Sequence, residues 1–186
     1  MAGEAGGEVL EAQGDLSERE VASLVFLREE EKLARDVYRA LDGNGNPFLN
    51  IQGSEQRHMD EVKVLLDRYG LPDPVGEDQE GVFQDPELQA LYDSLVEEGS
   101  RSREAALAVG CKIEELDLKD LEEAQAGVTH DDILEVYEHL KLGSRNHLRA
   151  FYGKLTQEGG QYEPVFLEPA AFEAVVEGSH ERPGGR

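Results

Sequence analysis

Four stretches of this chain repeat apolar residues at alternating three- and four-residue intervals over several helical turns each. The first, LSEREVASLVFLREEEKLARDVYRAL, opens on a capping box of Ser17 and Glu20 and stops at Asp42-Gly43. The second covers about 50–69 and stops at Gly70, ahead of Pro72. The third covers about 101–126, and the fourth runs from a Thr129 cap to about Glu158. The first and last links are short, DGNGNPF being the first of them. The middle link, 70–100, is long and carries a short helix, with Asp85 as cap, Pro86 at the first position and Gly99 at the end. Short links make antiparallel neighbours, and one long crossover lets the second and third helices run parallel. The prediction is an all-α fold: a four-helix bundle over residues 16–168, with a short extra helix in its crossover. Residues 1–15, rich in Gly, Ala and Glu, are expected to be disordered. Residues 169–186 read as a tail with room for one short helix.

Composition narrows the function. Asp and Glu number 41 against 18 Lys and Arg, a formal charge of −23. Nucleic-acid binding needs a basic footprint to neutralise phosphates, and anionic membranes repel such a chain. Neither partner is expected, whereas cations are attracted. The single cysteine, Cys111, rules out a disulfide framework, a CxxC pair and a cysteine zinc site, and reads as a small apolar packing residue. No stretch is apolar enough for a membrane span, and MAGEAGGEVLEAQGD lacks the marks of a signal peptide, so the cytoplasm is the expected compartment.

Ligand-type residues interrupt the apolar stripes. In the second helix Ile51, Glu55, His58, Val62, Leu65 and Tyr69 form one stripe, so a carboxylate and an imidazole sit one turn apart at core positions. In the third, Leu107, Gly110, Glu114, Asp117, Leu121 and Ala124 place two acids inward, while Glu115, Glu122 and Glu123 fall toward solvent. In the fourth, Ile133, Tyr137, Leu140, Ser144, His147 and Phe151 turn His147 inward. In the first, Leu27, Glu31, Ala34, Tyr38 and Leu41 form one line and Phe26, Glu30, Leu33 and Val37 another, with Glu30 slightly the more central acid. A buried carboxylate must be paired, protonated or bound to metal. Glu31, Glu55, Glu114 and Asp117 carry four negative charges, which two ferrous ions would neutralise, with His58 and His147 as further ligands. Oxygen and imidazole donors without thiolate suit iron or manganese, and also accept zinc.

Taken together, REEEKLARDVY, SEQRHMD, IEELD and GSRNHLRAF resemble the motifs of the ferritin-like diiron-carboxylate superfamily, which includes rubrerythrins and bacterioferritins. The resemblance extends over residues 16–168 and is closest to an uncharacterised bacterial and archaeal branch known only as a domain of unknown function. It implies Glu31 as first-helix ligand, Glu55 as bridging ligand, and His58, Glu114, Asp117 and His147 as the rest. One departure stands out: Ser144 occupies the place of the usual second ExxH glutamate, and Asp117 is the candidate replacement. The resemblance also implies two iron ions that react with dioxygen or peroxide, in iron handling or oxidative-stress defence, or a metal-binding module with little turnover. Tyr38 is the catalytic candidate, as hydrogen-bond donor to a ligand or as electron donor, and Arg35 and Arg145 are candidates to brace the ligand carboxylates. With no CxxC centre, electrons would come from a separate protein, and a homodimer is the expected assembly. His130, His139 and His180 receive no role.

Overall fold

The structure, a computed structural model, describes residues 14–183, so nearly all of the segment expected to be disordered lies outside the described residues. Every regular element within them is helical. The order is α1 (Glu18–Ala40), a 3-10 turn at Asp42–Asn44, α2 (Phe48–Arg68), α3 (Pro86–Gly99), α4 (Arg103–Gln125), α5 (Asp131–Gln157) and α6 (Pro169–Val176). The Ser17–Glu20 capping box forms in both directions, and Asp85 caps α3 ahead of Pro86. Two start signals differ from expectation. The helix begins at Phe48 rather than near 50, because the fully buried Phe48 ring belongs to the core and pulls the chain into register. Thr129 does not cap α5, since the N-cap is His130, and the Thr129 N–H donates instead to Glu20 of α1 at 2.9 Å.

Directions follow from the side-chain contacts. Arg28, Glu31 and Tyr38 of α1 meet Met59, His58 and Phe48 of α2, so the two run antiparallel. Gln125, Glu122 and Glu114 of α4 meet Glu138, Lys141 and His147 of α5, again antiparallel. Arg19 and Tyr38 of α1 reach Glu123 and Glu114 of α4. Hence α1 opposes both α2 and α4, and α2 is parallel to α4, as a long crossover permits.

That crossover is pinned to α1 by charge. Arg28 pairs with Asp73, Arg35 with Asp78, and Glu29 accepts the N–H groups of Gln84 and Asp85. Lys32 and Asp36 are a fully buried ion pair beneath the same loop. Arg35 therefore braces the crossover through Asp78, Asp36 and Gln56, and contacts none of the candidate ligands. Glu115, expected in solvent, is fully buried: it accepts the N–H groups of Val165, Phe166 and Leu167 and the Tyr162 hydroxyl. The chain beyond α5 folds back onto the domain. Phe172 of α6 is buried in the core, and Glu181 is clasped by Arg145 and Arg149. Arg145, like Arg35, thus holds a surface segment.

The apolar core is divided in two. One cluster gathers Leu33, Val37, Tyr38, Phe48, Leu107, Ile113 and Phe151, and the other Leu24, Leu27, Val62, Leu65, Leu121, Ile133 and Leu140. On all four long helices the polar stripe positions fall at the level between them.

Candidate metal centre

Each long helix delivers ligand-type side chains to this intermediate level. Glu31 comes from α1, Glu55 and His58 from α2, Glu114 and Asp117 from α4, and His147 from α5. The carboxylates are at most 1% exposed, while His58 is 3% and His147 8% exposed, so the two imidazoles mark the side nearest solvent.

Two triads form. In one, His58 Nδ1 lies 3.1 Å from Glu31 Oε2 and 2.8 Å from Glu55 Oε2. In the other, His147 Nδ1 lies 2.7 Å from Glu55 Oε1 and 3.5 Å from Glu114 Oε2. Within each triad the ligand atoms lie inside 4.8 Å of one another. Glu55 belongs to both, with one oxygen turned to each. Asp117 is fully buried against the same carboxylates but joins neither triad. Ser144 supplies no donor, since its hydroxyl bonds back to the Leu140 carbonyl at 3.2 Å.

Residues 20–179 match a family described as an uncharacterized protein domain, DUF2202. The chain belongs to this family. It is 47% identical over 169 residues to the uncharacterized protein MJ0754 of Methanocaldococcus jannaschii, an alignment that spans 90% of this chain and 91% of that one. A crystal structure of a hypothetical protein from Methanococcus jannaschii superposes with a TM-score of 0.88 at 45% identity, covering 92% of this chain and 99% of the other.

Each triad of this DUF2202 chain has donor atoms of a kind and spacing that can hold a metal ion. Both oxygens of Asp117 are buried with no hydrogen-bond partner, while the Glu55 oxygens, Glu114 Oε2 and His147 Nδ1 meet only one another and His58, at close range but without hydrogen-bonding geometry. Buried polar atoms are rarely left so, because each orphan forfeits roughly 1–3 kcal/mol. Tyr38 sharpens the arrangement: its hydroxyl donates to Glu114 Oε1 at 2.5 Å, which leaves Oε2 to face His147. Tyr137 is remote, and its hydroxyl is satisfied by Ser23 at 2.7 Å. The Cys111 thiol is buried, its pKa pushed up by desolvation, and it is inert.

Electrostatics show what holds the cluster without metal. Burial pushes Glu31 and Glu114 up to about 7, against the pull of His58 and His147. Burial acts on Glu55 too, but His147 and His58 on either side outweigh it and hold that carboxylate well below its ordinary range. Against their own desolvation, His147 is pushed up to about 10 by Glu55 and Glu114, and His58 well above its usual value by Glu55 and Glu31. Protons on the two imidazoles therefore stand where the cations would. Burial and then the neighbouring acids drive Asp117 and Glu30 upward as well.

Glu30 and Glu31 both point inward, to different neighbours. Glu31 meets His58 of α2, whereas Glu30 lies toward Asp120 of α4, with both its oxygens unpartnered. One contributor escaped the sequence reading altogether. A Cβ on Gly143 of α5 would stand 2.5 Å from His58 Cε1 and Nε2, so the imidazole reaches the site only because that position is glycine. The available signal was a glycine inside a long helix, where it costs about 1 kcal/mol relative to alanine. Gly143→Ala is expected to weaken binding of one ion by about 10- to 100-fold through displacement of His58. A competition titration against a coloured chelator reads this as one weakened and one retained affinity.

Proposed function

We propose that the chain is a ferritin-like four-helix bundle with a carboxylate-bridged dinuclear metal centre, filled by two ferrous ions. The observation that carries this reading is the division of Glu55 between two triads, one oxygen to each. Glu31 and His58 would hold one ion, and Glu114 and His147 the other, with Glu55 between them. Asp117 completes four carboxylates against four positive charges, which makes the cluster neutral enough to bury. The helix directions and the long crossover support the ferritin-like topology. Manganese or zinc is compatible with the same donors.

The chemistry such a pair supplies is the reduction of dioxygen or peroxide, with ferrous iron as the oxidised substrate: two Fe2+ lose one electron each, and O2 with two protons becomes H2O2. The protein's own part is placement. Apolar clusters above and below would seal the ligands from water on those two sides. Tyr38 holds Glu114 in a single orientation. A second reading, metal held with little turnover, is favoured by one observation: Ser144 offers no donor where the superfamily has a glutamate, so His147 and Glu114 hold their ion with fewer ligands.

Anaerobic ferrous loading followed by desalting tests the centre. About two irons per chain are expected to be retained, as for a preformed two-metal site. Oxygen uptake on exposure to air then separates the readings. Prompt consumption of about one O2 per two irons supports the oxidase, and retained iron without consumption supports the holding role. No retained iron, manganese or zinc would overturn both.

A further inference from the structure

A cavity of about 230 Å3 opens between α2 and α5 and leads to the two imidazoles of the centre. His58, His147 and Gly143 form part of its wall, and His139, Glu61 and His180 another part. His139 and Glu61 stand at the surface, their side chains 41% and 33% exposed. His180 arrives from the segment after α6, which Glu181 fastens to α5 through Arg145 and Arg149.

The outer residues are not a random surface group. His139 Nδ1 lies 2.7 Å from Glu61 Oε2, a carboxylate–histidine pair. Donation from Nδ1–H to the carboxylate fixes the tautomer and leaves the Nε2 lone pair as the ligand atom. The ring centroid of His139 is 6.3 Å from that of His58, and His58 is 5.6 Å from His147. His139 thus stands one imidazole out from His58, which with His147 flanks the buried Glu55 carboxylate. Imidazole backed by carboxylate is the donor chemistry of divalent transition-metal ions. A neutral oxidant would need none of it. Glu181 is not a free ligand, because Arg145 and Arg149 already hold its oxygens. Arg57 also lines the cavity, together with the carboxylate of Glu61.

We propose that His139 and His180, with Glu61 behind His139, form an outer station that captures a divalent transition-metal ion and passes it through the cavity to His58 and His147. The passage step rests on the dinuclear reading above, while capture does not. The probe is Co2+ alone, added to the full chain. In a Glu55→Gln variant, which disables the inner centre, Co2+ is expected to broaden the imidazole resonances of His139 and His180 selectively, and Glu61→Gln is expected to weaken that binding by about 10-fold or more. In the otherwise unaltered chain, His139→Ala with His180→Ala is expected to slow Co2+ uptake about 10-fold at limiting metal while leaving the final stoichiometry unchanged. Absence of selective broadening overturns the station. Unchanged uptake rate with broadening present overturns the passage. Selective broadening in a chain that never fills its inner centre would leave the station standing and sink the dinuclear reading instead. Both histidines lie at the surface, so their removal leaves the fold intact.

Discussion

Replacement of Glu55 by alanine is expected to take the chain from about two bound metal ions to almost none, the largest single effect available in this molecule. Glu31, His58, Glu114 and His147 each belong to one triad and Asp117 to neither, whereas Glu55 belongs to both. Loss of Glu31 or Glu114 leaves the opposite triad with its histidine and the shared carboxylate. Loss of Glu55 leaves two pairs, each a single carboxylate and an imidazole, and removes the charge that keeps two cations apart and neutralised. Glu55→Gln, which preserves shape and helix propensity, is expected to do the same, so metal loss cannot be laid to a cavity in the core. A ligand present at about 1,000 times its Kd stabilises a fold by about 4 kcal/mol, so the thermal midpoint of the variants should also cease to respond to added metal. Elemental analysis after desalting and thermal melts with and without metal read the two effects. Retention of two ions in Glu55→Gln would remove the bridging assignment.

How much of this was legible in the sequence depends on where each side chain finds its partner. Signals satisfied within one helix were readable: the Ser17–Glu20 box, the Asp85-Pro86 start, and the one-turn spacing of Glu55 and His58. The gathering of Glu31, Glu55, His58, Glu114 and His147 at one level was readable too, because each interrupts an apolar stripe and stripes must face one another. Carboxylates whose partners arrive from distant segments were not. A helical wheel puts Glu115 at the edge of its stripe, where solvent is the natural inference. The segment 162–167 returns to cover it and brings three N–H groups and a hydroxyl. Glu20 likewise collects Thr129 and His130, and Glu29 collects the start of α3. The same limit explains Arg35 and Arg145, whose guanidinium groups reach loop carboxylates outside the ligand set. Glu30 and Glu31 show a subtler limit. Adjacent residues on a helix point about 100° apart. When α1 packs against both α2 and α4, each acid is inward for one neighbour, and only the partner's side chain decides between them.

Raising the pH from 6 to 8 is expected to tighten the binding of two divalent ions by at least about 10^2 in the overall constant, because binding must displace protons. The sign follows from the metal-free cluster. His147 keeps its proton up to about 10, and His58 keeps one well above its ordinary range. Both must give up the Nδ1 proton to coordinate, and each displaced proton strengthens binding tenfold per pH unit while the pH stays below that group's pKa. His147 alone, over two units, accounts for the figure, and the His58 proton adds to it. Glu31 and Glu114, each at about 7, add their own protons below that value and little above it. The logarithm of the binding constant should therefore climb more steeply below pH 7 than above, with Glu55 contributing nothing because it is already ionised. Stability moves in opposite directions in the two forms. A histidine whose folded pKa is raised stabilises the metal-free chain below its unfolded value, about 6.5, and that contribution is lost as the pH rises through about 10. The metal-free protein should weaken over the alkaline range in which the metal-loaded protein gains, so the gap between their melting temperatures widens with pH. Chelator competition at several pH values, with paired melts, measures both slopes. A binding constant independent of pH would mean that the imidazoles are neutral in the metal-free chain, and the Glu55 carboxylate would then lack the counter-charge that lets it remain buried.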